Sequence, residues 1–259
     1  MRNIRILLQY EGTRYQGWQR QSSTDNTIQG KLEMLLTRMC GEPIELQGSG
    51  RTDAGVHALG QVANFHTKCQ MSVEEMLEYM NHYLPEDIAV VDISEVAERF
   101  HSRLNAVGKC YTYRIINSSI PDVFWRRYAY EVQEKLDIEA MQKAAGLLMG
   151  RHDFKSFTST KKGKKSTVRR VDEIRIEREK DRITLTYVGD GFLYHMVRIL
   201  TGTLLEVGLG KRTPESVLDT LHACNRETAG PLVPAKGLTL NEVYYGNQQK
   251  NTNGREMSV

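Results

Sequence analysis

The chain has 259 residues, with 35 basic against 32 acidic side chains and a net charge of +3 at pH 7. Hydrophobic residues make up 40% and charged residues 26%, an ordinary globular balance with room for one large domain or two modest ones. So mild a net charge identifies no polyanionic partner by itself, and the distribution of charge has to decide. Cys40, Cys69, Cys110 and Cys224 lie far apart, without a CxxC pair or a Cys/His cluster of zinc spacing, and read as thiols of a reducing compartment. No apolar run reaches membrane-spanning length, and Met1-Arg2-Asn3-Ile4 leads into a strand pattern rather than a signal peptide. A cytoplasmic protein without membrane contact is expected.

Ile4, Ile6, Leu8 and Tyr10 alternate with outward positions and predict a strand. The glycine-bounded loop 12–21 follows. Its Arg14, Trp18 and Arg20 are candidate RNA contacts, suited to phosphates and bases, although packing of the aromatics against a sheet explains them as well. Thr27 caps a helix whose Ile28, Leu32, Leu35, Leu36 and Met39 form one apolar stripe. Residues 43–46 begin a strand leading into the stretch 48–57, and 61–66 continue as another. Ser72 starts a helix with Val73, Met76, Leu77 and Met80 inward; Pro85 ends it, and Ile88, Val90 and Val91 form the next strand.

Residues 100–106 look like the crossing to a second half. Lys109 to Ile116 alternate as a strand with Tyr111 and Tyr113 on one face. A strand over 126–132 and a helix over 138–148 come next. Residues 155–170 then hold Lys155, Lys161, Lys162, Lys164, Lys165, Arg169 and Arg170 and no acidic residue. Such a loop suits RNA, with a merely solvated basic loop as the alternative. A hairpin over 171–176 and 182–188 turns at Gly189-Asp190-Gly191 into a helix carrying Met196, Ile199, Leu200, Thr203, Leu204 and Val207 on one face. Arg198 lies on that apolar helix, where an unpaired guanidinium is expensive and an anionic partner is required. A helix over 214–224 and a strand over 238–245 close the pattern, and the polar tail 247–259 is expected to be disordered. The expected class is α+β: two ferredoxin-like or RRM-like halves, 1–105 and 106–246, sharing one continuous, mainly antiparallel sheet with a central active-site cleft.

The densest motif is Gly48-Ser49-Gly50-Arg51-Thr52-Asp53-Ala54-Gly55-Val56-His57. Read alone, it is either a tight salt-bridged turn or a functional site built on a close backbone approach. The chain has no phosphate-binding loop, GxSxG, HExxH or dinucleotide fingerprint. What remains is one carboxylate, several arginines, a tyrosine and a basic stretch. A carboxylate kept ionised by arginines can attack an anomeric carbon or remove a nearby proton, and an aromatic ring suits an extruded base.

The octet Gly50-Arg51-Thr52-Asp53-Ala54-Gly55-Val56-His57 resembles the signature of the tRNA pseudouridine synthase A family, which modifies the anticodon stem-loop at positions 38–40. Tyr10-Glu11-Gly12 with Gly17-Trp18-Gln19-Arg20-Gln21, Asn81 with Leu84-Pro85, Phe100-His101-Ser102-Arg103, Lys109-Cys110-Tyr111-Thr112-Tyr113, Phe192-Leu193-Tyr194-His195-Met196-Val197-Arg198 and Gly237-Leu238-Thr239-Leu240 extend it over nearly the whole chain. The resemblance implies that Asp53 is the catalytic aspartate, acting either as nucleophile at C1′ of the target uridine or as base toward the C2′ proton. It implies that Arg51 fills the space of the flipped nucleotide, that Tyr111 stacks on uracil, that Arg198 pairs with the aspartate and that Leu238 walls the pocket. It further implies a homodimer acting on tRNA with no metal or organic cofactor. A non-catalytic RNA-binding module or tRNA chaperone, and a nucleosidase releasing free base, are the competing readings.

Overall fold

The computed structural model describes residues 1–160 and 166–246. Lys161, Lys162, Lys164 and Lys165 and the expected tail lie outside the described residues. The described chain is mixed α+β, with five α-helices and mostly antiparallel strand pairs. It divides into two compact units, Met1–Val107 with residues 239–246, and Gly108–Leu238.

In the first unit β1 (Arg2–Tyr10), α1 (Ile28–Cys40), β2 (Gln47–Gly48), β3 (His57–Thr67), α2 (Val73–Tyr83) and β4 (Ile88–Val96) follow in order. β1 pairs antiparallel with β4 on one edge and β3 on the other, and β2 pairs antiparallel with β3. The register sets Ile4 opposite Phe65 and Ile6 opposite Ala63. The alternation expected for β1 holds: Ile4, Ile6 and Leu8 are fully buried, together with Leu32 and Leu36 of α1 and Met76 and Met80 of α2. Each such side chain contributes about 1.5–3 kcal/mol. Both helices start on the expected caps. Thr27 Oγ1 accepts from Gly30 N, while Ser72 Oγ accepts from Glu75 N and Glu75 Oε2 from Ser72 N.

The expected strand over 43–46 does not form. Its amides turn to α1 instead: Ile44 N donates to Thr37 Oγ1 at 3.2 Å and Leu46 N to the buried Glu33 Oε1 at 3.0 Å. The last strand, β10 (Leu238–Tyr245), joins this unit from Thr239 onward, because it pairs in parallel with β3 (Thr239 opposite His57, Leu240 opposite Ala58). The first unit therefore draws on both ends of the chain, where a half ending at 105 was expected.

The second unit contains β5 (Ala106–Ile116, from Gly108 onward), β6 (Tyr130–Glu131), α3 (Ile138–Leu148), β7 (Gly150–Asp153), β8 (Val168–Glu179), β9 (Arg182–Gly189), α4 (Met196–Gly208) and α5 (Ser216–Ala223). Its strands run in the order β5-β9-β8-β7, all antiparallel, and β6 adds a short parallel pair to β5. Tyr113, Ile115, Ile183, Leu185 and Tyr187 form a fully buried layer with Met141 and Leu148 of α3 and Ile199, Leu200 and Leu204 of α4. Only two residues of the strand expected over 126–132 pair. Tyr128 N and Ala129 N both close back onto Trp125 O, making a tight turn around a buried indole flanked by the Arg182 guanidinium. β7 was not foreseen, since its Arg151, His152 and Asp153 carry no apolar alternation.

Candidate active site

Asp53 sits in a turn built by two loops of the first unit lying against each other. Its carbonyl accepts from Val56 N at 3.1 Å, and Gly55 takes φ 79°, so residues 53–56 form a type II-like turn that needs glycine in third place. The loop after β1 supplies the seat. Trp18 N donates to Thr52 O at 3.0 Å and Gly55 N to Tyr15 O at 3.3 Å. Gly17 faces Thr52 O with φ 88°, and a Cβ there would stand 2.7 Å from that oxygen. A Cβ on Gly12 would overlap the Val56 carbonyl oxygen. Glycine is thus required at both places by the closeness of the two backbones.

Side chains complete the clamp. Tyr10 Oη and Thr52 Oγ1 share a buried hydrogen bond of 2.8 Å. On the other side, Ser49 N donates to Val62 O, Ser49 Oγ to Gln61 Oε1 (2.6 Å), and Gln61 Nε2 to Gly50 O (3.0 Å). Burial pushes the Tyr10 phenol well above its ordinary range, although the Thr52 and Gln61 side chains favour its ionised form. His57 is buried and its Nδ1 accepts from Gly12 N at 3.0 Å, so the ring presents a lone pair there and ties the two loops together. Half-buried Asp53 emerges from this clamp between buried Thr52 and exposed Ala54.

Arg51 is exposed and its Nε donates to Gln19 Oε1 at 2.9 Å, so the loop that seats Asp53 also aims the arginine. Gln19 was not singled out as a site residue, although its place in the Gly17-to-Gln21 motif marked it. Gln19 is in turn held through Nε2 by Gln29 Oε1 at 2.7 Å.

In the second unit, Tyr111 lies on β5 opposite Tyr187, nearly buried, with its ring edge-to-face with Phe192 at 5.3 Å. Tyr113, two residues on, donates from Oη to Pro234 O at 2.7 Å. Arg198 stands in the first turn of α4, half-buried, and its Nε donates to Val233 O at 2.8 Å. Both carbonyls belong to the segment 230–234, which crosses α4. At the crossing, Gly230 N donates to Thr203 Oγ1 at 2.9 Å, and a Cβ on Gly202 would overlap the Pro231 carbonyl oxygen. The segment continues to Leu238, which is buried at the start of β10. This brace, absent from the sequence reading, holds Arg198 and Tyr113 with two successive carbonyls.

The residues expected to bind RNA fall into different situations. Trp18 is 2% exposed and packs 6.2 Å from Tyr10, so it is a core residue under the Asp53 turn and offers no face to a base. Arg14 pairs with Asp87 at 2.6 Å with most of its guanidinium in solvent, and Arg20 likewise caps the buried Glu33 at 3.0 Å. Arg169 donates to the carbonyls of Ser166 and Val168, and Arg170 pairs with Asp172 at 2.8 Å. Among the described residues no group of three or more His, Cys, Asp or Glu side chains is placed to hold a metal, and no helix is long and apolar enough to cross a membrane.

A family model described as tRNA pseudouridine synthase matches residues 6–105 and 144–246. The chain is 47% identical over 245 residues to tRNA pseudouridine synthase A of Bacillus sp. (strain KSM-64), and 48% identical to tRNA pseudouridine synthase A 1 of Clostridium tetani (strain Massachusetts / E88). Each alignment covers 95% of this chain and 100% of the relative. The same coverage at 43% identity holds for tRNA pseudouridine synthase A of Acetivibrio thermocellus. The family match takes in the Asp53 turn, the loop that seats it, α4 with Arg198 and the brace, and the chain belongs to the tRNA pseudouridine synthase family, isomerases that convert uridine to pseudouridine.

Proposed function

We propose that this chain isomerises uridine to pseudouridine at positions 38–40 of the tRNA anticodon stem-loop, with Asp53 as the essential carboxylate. Family membership supports the reaction class. The observation that carries the residue is the fixing of Asp53 in a turn clamped by two loops. The uracil leaves its sugar and must be recaptured in a new orientation, so a carboxylate at the sugar carbon has to be held in place throughout. Asp53 either bonds to C1′ as N1 departs or takes the C2′ proton. By either route the C1′–N1 bond breaks and the uracil turns; as C5 bonds to C1′ the Asp53–C1′ bond breaks, or the C2′ proton is returned, and then the C5 proton passes to water while N1 takes up a proton.

Tyr111 is proposed to stack on the uracil, Leu238 to wall the pocket and Arg198 to pair with Asp53. Arg51 would occupy the space of the flipped nucleotide and hold the backbone. These roles rest on the matching motifs and on the chemistry of each side chain. The β-α-β-β-α-β order of the first unit supports reading it as a ferredoxin-like half; the second ferredoxin-like half and the central active-site cleft rest on the resemblance. Arg14, Arg20, Arg169, Arg170 and the four lysines 161, 162, 164 and 165 are proposed to meet phosphates. The resemblance further supports a cytoplasmic homodimer that needs no cofactor.

Incubation with tRNA tritiated at uracil C5 tests the proposal. Label is expected in water with no free uracil. Label retained on tRNA that the protein binds would leave a binding module, and free uracil would leave a nucleosidase.

A further inference from the structure

We propose that Tyr194 is a stacking platform for an unpaired nucleotide of the RNA substrate, and that His195 is the residue that positions it. The inference rests on the reading of the chain as a tRNA-modifying enzyme and adds a contact which that reading leaves unassigned.

Tyr194 stands in the turn between β9 and α4 and is 56% exposed. Its ring lies over the His195 imidazole, with centroids 3.7 Å apart and planes 28° from parallel. A phenol ring supported from below and facing water above is the surface that unpaired bases use, because every base has a π-face and stacking is tolerant of sequence. The support is fixed. His195 takes φ 65°, a left-handed conformation that a residue with a Cβ keeps only where its surroundings hold it. Two ties hold it here. His195 Nδ1 and Ser159 Oγ are 2.9 Å apart, and the Tyr194 carbonyl accepts from both Thr158 Oγ1 (3.0 Å) and Ser159 N (3.3 Å). Glycine would adopt this backbone freely, but it would remove the ring beneath the tyrosine.

Charge and chemistry lie alongside. Arg169 Nε stands 3.9 Å from the place of a Cβ on Gly191, three residues before Tyr194, so a guanidinium reaches the same β9–α4 connection and is proposed to meet the phosphate of the stacked nucleotide. The His195 carbonyl accepts from Ile199 N at 3.0 Å and starts α4, which carries Arg198 three residues later. A nucleotide on Tyr194 would thus press on the first turn of the helix that presents Arg198.

Affinity for an unmodified tRNA transcript and tritium release from C5, both measured over a range of salt, test the proposal on the full chain. Tyr194→Ala is expected to weaken binding about tenfold and by the same factor at every salt concentration, since lost stacking releases no counterions. The loss should fall on KM more than on kcat. Tyr194→Trp should restore it, and Tyr194→Leu, of similar bulk without a π-face, should not. Arg169→Ala should instead lower the salt slope by about one. His195→Gly should melt no lower than wild type yet bind several-fold more weakly. Wild-type affinity in Tyr194→Ala, or rescue by Tyr194→Leu, would overturn the platform while wild-type tritium release left the enzyme reading intact. A wild-type protein that released no tritium would overturn that reading instead.

Discussion

Asp53 and Arg198 are both charged groups brought to fixed places, and the two units reach that end differently. Asp53 belongs to no helix or strand. It is held by loop against loop, through the Trp18–Thr52, Gly55–Tyr15 and Gly12–His57 hydrogen bonds, and by glycines at each point where the backbones meet. Arg198 rides on α4, whose interior residues are almost all buried, and a carbonyl of the crossing segment accepts from its Nε. A loop-held group spends specific residues at every contact. A helix-held group spends a periodic apolar stripe and a small residue at the crossing.

The crossing is where this comparison breaks first. Gly202→Ala drives a methyl group into the Pro231 carbonyl inside a close-packed core, and a loss of about 3 kcal/mol is expected in denaturant titration. A stability like that of wild type would mean that the brace does not lie tightly on α4. The corresponding change in the first unit, Gly12→Ala, displaces a loop from the Val56 carbonyl rather than a core helix. Its stability loss is therefore expected to be smaller, about 1–2 kcal/mol, while C5 tritium release falls at least a hundredfold because the Asp53 turn shifts. If the two variants lost stability equally and Gly12→Ala kept its turnover, the contrast between loop-held and helix-held groups would fail.

A finer test uses Tyr10. Tyr10→Phe removes the Thr52 hydrogen bond beneath the Asp53 turn and is expected to cost about 1 kcal/mol near neutral pH. Burial raises the phenol's pKa in the folded state. Its contribution is therefore complete below the ordinary tyrosine pKa of about 10 and is lost as pH rises beyond it. Wild type should lose stability in that alkaline range more steeply than Tyr10→Phe. Parallel curves in chemical denaturation from pH 8 to 11 would show that Tyr10 is less enclosed than the clamp requires.

The same contrast governs what could be read in the sequence. Glycines and charged residues compressed into 48–57 and 12–21 announced the loop-held site, because only glycine tolerates those approaches. The stripe on α4 announced a buried helix with a cation on it. The brace at 230–234 was invisible, since it acts through backbone carbonyls that any sequence carries. Trp18 was misjudged for a related reason: a tryptophan in a loop looks available until a second loop is known to cover it. The strand expected over 43–46 failed because Glu33 and Thr37, polar residues on a helix, took the amides that a strand partner would have used. β10 fell outside the expected first half because parallel pairing with β3 depends on contacts between distant parts of the chain, which local pattern does not encode.

In the proposed function the clamp holds one carboxylate at the sugar of a uridine. Single-turnover tritium release by Asp53→Asn, measured beside its affinity for the same tRNA and its melting temperature, tests this most directly. The substitution keeps the size of the side chain and the backbone of the turn, so affinity and melting should stay near wild type while release falls at least a thousandfold. Release within tenfold of wild type, in a variant that binds tRNA normally, would take the catalytic role from Asp53.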